Sequence, residues 1–261
     1  MRDHDGGPRP IAYGPDPEQV GDLRLPATAG PHPVVVLLHG GFWRARYDRS
    51  STVALAKDVV RRGWAAWNVE YRRVGQPGGG WPGTLDDVAA AVDHLAPLAD
   101  DEPLDLTRVA AVGHSAGGHL AAWTAARAAL PAGAPGADPA VRPVAAVCLA
   151  GVLDLRGAAD EHLGDGAAVG FLGAHPEDAP ERYGLASPID RLPSGVPTRC
   201  VHGRLDDVVP PDQSARFVAA ATAAGDDASL APFDGDHFDV LDPGHESWTG
   251  AAAWLATHLD R

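Results

Sequence analysis

The run Val109-Ala-Ala-Val-Gly-His-Ser-Ala-Gly-Gly118 leads directly into the alanine-rich stretch His119–Leu130. Its first part is short, apolar and partly β-branched, and it ends at a glycine, as a buried strand does. From Ala116 onward the composition is that of a helix, closed by Pro131. Between the two, Gly113-His114-Ser115-Ala116-Gly117 fits the pattern G-x-S-x-G. Its glycines permit a sharp strand-to-helix turn that lifts the Ser115 hydroxyl above the sheet, with the helix N-terminus beneath it. The Ala116 amide then points at any negative charge that develops on a carbonyl oxygen attacked there. The plain alternative is a glycine-rich β–α turn without chemistry. The strand and helix on either side favour Ser115 as a nucleophile.

The same alternation of apolar runs and helical patterns extends outward. On the N-terminal side, Val34–Leu38 and Ala65–Val69 read as buried strands. Ser50–Arg62 reads as a helix capped by Ser50 or Ser51. A glycine-rich loop, Gly75–Gly83, precedes a helix over Leu85–Leu98, where Thr84 and Asp87 have capping-box spacing. On the C-terminal side, Val144–Leu149, Thr198–His202 and Ala228–Phe233 read as strands, and Asp212–Ala224 and Ser247–Leu259 as helices. Ala150–Pro197, broken by Gly and Pro, reads as a short lid-like insertion. The expected fold is therefore α/β: one domain over 1–261, with a doubly wound, mostly parallel sheet and helices on both faces. Its site is expected at the C-terminal ends of the strands.

Composition bounds the function. The chain has 261 residues, of which 45% are apolar, and a formal net charge of −14. That charge repels phosphate backbones and anionic headgroups, so nucleic-acid and membrane-surface partners are not expected. Met1–Pro10 carries no apolar signal region, and no run reaches the about 18 apolar residues of a membrane span. A cytoplasmic location is the default expectation. Cys148 and Cys200 lie in apolar strand runs and read as buried thiols, with a disulfide or reactive thiol as the alternative. Twelve histidines invite a metal, yet no H-E-x-x-H pattern or Cys/His cluster occurs. Gly78-Gly79-Gly80 lacks the lysine and spacing of a phosphate loop. Neither cofactor nor metal is expected.

His39-Gly40-Gly41-Phe42-Trp43 follows the first buried strand. Acyl transfer needs a second preorganised donor for the oxyanion, and the amides of Gly41 and Phe42 are placed to supply it. His39 reads as a prop for this loop. Serine needs a base, and the base an orienting carboxylate, in the order Ser, Asp, His. Asp206 follows the strand ending at His202, and His237 follows the strand ending at Phe233. Asp207 is the alternative acid. His245 and His258 read as surface positions near the last helix. Trp43, Trp81 and Phe171, with Phe42, are candidate walls of an acyl or aryl pocket.

These motifs carry a family resemblance. HGGFW (39–43), GHSAGGHLA (113–121), HGRLDDVVP (202–210) and GDHFDVLDP (235–243) resemble the kynurenine formamidase-like and small carboxylesterase branch of the α/β-hydrolases. EQVGDLRLP (18–26), NVEYRR (68–73) and ERYGLASPIDRLP (181–193) extend the likeness over nearly the whole chain. The resemblance implies a triad of Ser115, Asp206 and His237. It places the oxyanion hole in the HGGFW loop and at Ala116, and the substrate is a small ester or amide. A short-acyl carboxylesterase is the first expectation. An arylformamidase is the alternative, from which GHSAGGH and HGGFW depart mildly, since formamidases more often show GHSAGAH and HGGYW. A peptidase-like hydrolase is a second enzyme alternative, though the chain has no spare length for a propeller domain. A non-catalytic receptor on the same fold would not need the intact Ser, Asp and His.

Overall fold

Every residue of His32–Leu38 is buried, so this run lies in the middle of a sheet with both faces covered. The computed structural model describes residues 7–260; the first six residues of the polar Met1–Pro10 stretch lie outside the described residues. The strands are β1 (Arg9–Ala12), β2 (Val20–Arg24), β3 (His32–Leu38), β4 (Ala65–Val69), β5 (Leu104–His114), β6 (Ala145–Leu149), β7 (Thr198–Gly203) and β8 (Ala228–Phe233). They form one eight-stranded sheet in the order β1-β2-β4-β3-β5-β6-β7-β8. β1 and β2 run antiparallel to their neighbours, and the other pairings are parallel. The helices are α1 (Val53–Arg61), α2 (Gly83–Asp93), α3 (Leu95–Asp101), α4 (Ala116–Ala126), α5 (Leu155–Asp160), α6 (Leu163–Leu172), α7 (Pro180–Ala186), α8 (Asp212–Ala223) and α9 (Glu246–Leu259).

The period-two alternation of β3 divides the core. Val34, Val36 and Leu38 pack on one face with Leu85 and Val88 of α2 and Leu120 of α4. Val35 and Leu37 pack on the other with Leu55 and Val59 of α1 and Trp248 and Leu255 of α9. This is the doubly wound α/β architecture. It places the β3, β5, β7 and β8 C-terminal ends along one edge, where Ser115, Asp206 and His237 emerge.

Several local expectations change. Asp48, not Ser50 or Ser51, caps the first helical turn at Arg49–Thr52, its side chain accepting from the Ser50 amide. The helix expected over Leu85–Leu98 is two, broken at His94; Pro97 supplies no amide and is tolerated in the first turn of α3. Thr84 does not form a capping box. Its hydroxyl accepts from Gly80 N and donates to Arg72 O, while Asp87 is buried and takes hydrogen bonds from Arg72 and Gln19. The β1–β2 hairpin was not apparent in the sequence.

Ala150–Pro197 is more helical than expected, holding α5, α6, α7 and a 3₁₀ turn at Pro188–Arg191. Gly164, Asp165 and Gly166 in α6 are left-handed, which erases any helical periodicity. Cys148 and Cys200 are buried free thiols at paired positions of β6 and β7. Among the described residues, no helix is long and apolar enough to cross a membrane.

Candidate active site

Ser115 is the single residue between β5 and α4, and its backbone is left-handed at φ 57°, ψ −119°. A non-glycine residue at such an angle is strained, and it persists only where the surroundings fix it. Here they do so by close approach. A Cβ on Gly113 would lie 1.9 Å from Gly117 O, and one on Gly117 would lie 2.0 Å from Leu38 O. Both positions therefore need glycine for β3, β5 and α4 to meet. Gly40 is close too, though less so, its hypothetical Cβ 2.9 Å from His114 O and 3.0 Å from Ser115 Cβ. Ala116 begins α4, so its amide is among those with no partner inside the helix.

Asp206 leaves the end of β7 and is buried, whereas Asp207 is exposed. Asp206 Oδ2 accepts from His237 Nδ1 at 2.7 Å and lies 3.1 Å from His202 Nε2. Its Oδ1 accepts from the amides of Val208 at 2.9 Å and Val209 at 2.8 Å. Burial alone would raise the carboxyl's pKa. The donors from His202, His237 and Val209 outweigh it and hold the group well below the usual carboxylate range. With Nδ1–H donated to Asp206, neutral His237 keeps Nε2 as its basic nitrogen. His114 Nε2 donates to the His237 carbonyl at 2.9 Å, which ties the His237 backbone to the serine turn. Burial, then the nearby His237, push the His114 pKa down to about 3. His245 instead caps α9, and His258 lies against Trp254.

The loop after β3 is held from below. His39 is fully buried and stacks on Tyr71 with ring centroids 4.3 Å apart. Its Nδ1 contacts Gly40 O and its Nε2 contacts Glu70 Oε1, each at 2.8 Å. The Tyr71 hydroxyl donates to His39 O at 2.7 Å, and Arg73 pairs with Glu70 at 2.9 Å. Burial raises the Glu70 carboxyl's pKa, but the His39 hydrogen bond and the Arg49 amide lower it further, and it stays ionised. Above this network, Gly41, Phe42 and Trp43 have φ values of 110°, 52° and 56°. Three successive residues at positive φ make this loop a tight turn, and its Gly41 and Phe42 border the same space as Ser115.

A cleft of about 180 Å³ joins these parts. Ser115, His237, Gly41 and Phe42 line it, with Tyr47, Val208, Phe238 and Leu241 completing its apolar wall. Trp43, Trp81 and Phe171 do not line it, contrary to the expectation from sequence. Trp43 and Phe171 are fully buried and stack on each other, and Trp81 borders a separate groove with Leu185. Apolar side chains in loops are as readily core as wall, and here tertiary packing takes them inward. Tyr47 and Phe238 were missed, although Phe238 adjoins the expected base. Among the described residues, no group of three or more His, Cys, Asp or Glu is placed to hold a metal ion.

The sheet order, the serine turn and the hydrogen-bonded Asp206 and His237 at neighbouring strand ends fit the α/β-hydrolase fold. Residues 22–220 match the BD-FAE family, and the chain belongs to that family. Esterase LipQ of Mycobacterium tuberculosis is 34% identical over 202 residues, covering 74% of this chain and 46% of its own length. Esterase LipC of the same organism is 28% identical over 265 residues, covering 90% and 60%. The chain thus spans about half the length of the curated relatives it matches. A truncated carbohydrate esterase from gut microbiota superposes over 100% of this chain and 99% of its own, with a TM-score of 0.83 at 19% identity. Esterase 2 of Thermogutta terrifontis with butyrate bound covers 96% and 94%, with a TM-score of 0.77 at 23% identity. At these identities the structural likeness speaks to the fold alone.

Proposed function

We propose that the protein is a serine esterase that cleaves short-acyl carboxylic esters through an acyl-enzyme. The observation that carries this reading is a shared cleft: Ser115 on its strained turn and His237 line the same space, and Asp206 holds His237 Nδ1. Ser115 Oγ attacks the ester carbonyl and its proton passes to His237 Nε2. The oxyanion accepts hydrogen bonds from Ala116 N–H and from the amides of Gly41 and Phe42. As the tetrahedral adduct collapses, the alcohol leaves with the proton from His237. Water then attacks the acyl group and gives a proton to His237; as the second adduct collapses, the bond to Ser115 Oγ breaks, His237 returns the proton to Oγ, and the acid is released. No cofactor enters these steps.

The small, mostly apolar cleft supports a short acyl group, and the esterase names of the relatives support the reaction class. The Ala150–Pro197 segment supplies no lining residue, so we take the cleft as open rather than gated by a lid. An arylformamidase is the second reading. Phe42, Tyr47 and Phe238 offer aromatic surface against which a flat leaving group would stack. One panel of kcat/KM values separates the two. Across p-nitrophenyl esters of rising acyl length, the esterase reading gives a maximum at about two to four carbons, because each further methylene gains its ~0.8 kcal/mol only while wall remains. A maximum at about eight carbons or more contradicts the short cleft. A formyl anilide turned over about 100-fold faster than any acetyl ester, a transition-state difference of about 2.7 kcal/mol, assigns the site to formamides.

A further inference from the structure

Ala150–Pro197 does not line the cleft, yet it touches three consecutive residues of the loop that does. Phe42 lies against Gly164: a Cβ added there would fall 2.6 Å from the Phe42 ring. Trp43 stacks on Phe171 with centroids 4.7 Å apart, and its Nε1 donates to His119 Nδ1 at 3.2 Å. His119 passes the restraint on, donating from Nε2 to Ala186 O of α7 at 2.9 Å. Arg44 Nη2 donates to Gly164 O at 2.5 Å and to Asp165 O at 3.4 Å. Both partners of that clamp are themselves unusual. Gly41, Phe42 and Trp43 are all at positive φ, and Gly164, Asp165 and Gly166 are left-handed at φ 59°, 56° and 71°. Phe42, Trp43 and Asp165 each carry a backbone strain that only surrounding contacts maintain. Two strained turns therefore lock against each other through one ring and one guanidinium.

We propose that the turn at Gly164 and Asp165 is a positioning element for the oxyanion loop, aiming the Gly41 and Phe42 amides through the Phe42 ring and Arg44. The segment read from sequence as a lid acts as a fixed buttress. This inference rests on the reading that those amides stabilise the oxyanion. A small error in such a donor costs rate, because removing one oxyanion-hole donor costs about 10²–10³ in kcat. The same error costs little in ground-state binding, which relies on the apolar wall.

The test compares Gly164→Ala and Arg44→Ala with Gly166→Ala. Gly166 has similar left-handed strain, but a Cβ there meets nothing within 4 Å. Each variant is assayed with p-nitrophenyl acetate and with phenylboronic acid, whose anionic tetrahedral adduct on serine probes the oxyanion hole without turnover. Gly164→Ala and Arg44→Ala are expected to lower kcat by about 10-fold or more, with KM within about threefold, and to weaken phenylboronic acid by the same factor. Gly166→Ala is expected to stay within about twofold of the parent in both. The inference falls if Gly166→Ala matches Gly164→Ala. It falls equally if the loss is in KM alone, or if kcat drops while boronate affinity holds. Should Gly164→Ala not fold, Arg44→Ala decides alone by the same criteria. A Ser115→Ala arm separates the two claims. Turnover retained by that variant overturns the esterase reading itself. Turnover lost there, with Arg44→Ala and Gly164→Ala at parental rates, overturns only the buttress.

Discussion

Asp206 Oδ2 and His237 Nδ1 meet at 2.7 Å, although 31 residues and a whole strand separate them in the chain. The contact fixes the imidazole tautomer, and the neighbouring Asp207 is exposed and takes no part in it. Asp206→Asn is expected to lower kcat by up to about 10⁴ by presenting the wrong tautomer, while Asp207→Asn stays near the parent. Steady-state kinetics on p-nitrophenyl acetate checks both. A larger loss at Asp207 than at Asp206 would move the acid by one position.

His202 Nε2 lies 3.1 Å from the same carboxylate oxygen and 2.9 Å from Val209 O, and Ser214 Oγ lies 2.7 Å from its other ring nitrogen. Polar contacts hold Asp206 low, so losing this one makes the carboxylate more basic and frees it to shift. His202→Phe should therefore loosen the carboxylate that orients His237 and lower kcat, by up to about 10²-fold. Steady-state kinetics on p-nitrophenyl acetate checks the loss. An unchanged kcat would reduce His202 to packing.

Two buried histidines contribute to the acid sensitivity. Burial lowers His114 to about 3 and His119 to about 4, against an ordinary value of 6.5. Between those values and 6.5 the unfolded chain binds the extra protons, so stability rises with pH and is lost as pH falls from 6.5 toward 4. Each histidine contributes a slope of up to about 1.4 kcal/mol per pH unit in that window. Urea unfolding at pH 7, 6 and 5 should show the decline, and His119→Gln should flatten it. Equal slopes for parent and variant would contradict the assignment.

What the sequence disclosed depended on how local the cause was. The serine turn was legible because close backbone approach leaves glycine as the only solution at Gly113 and Gly117, and the parallel strands because residues buried on both faces must be apolar throughout. The β1–β2 hairpin was not, since an edge strand such as Arg9–Ala12 is mostly exposed and carries no pattern. Glu70 and Arg73 look like solvated charges in the sequence, yet both are buried beneath the His39 loop, a placement made only by tertiary pairing. The cleft wall failed for the same reason. Nothing local distinguishes Trp43, which turns inward onto Phe171, from Tyr47 and Phe238, which stay at the mouth.

Covalent labelling asks directly whether Ser115 is the nucleophile of an esterase. The active protein is treated with a fluorophosphonate, digested, and the modified peptide sequenced by mass spectrometry. One adduct is expected, on Ser115, with loss of turnover in proportion to labelling, and no adduct in Ser115→Ala. Labelling of a different serine, or full inactivation with Ser115 unmodified, contradicts it.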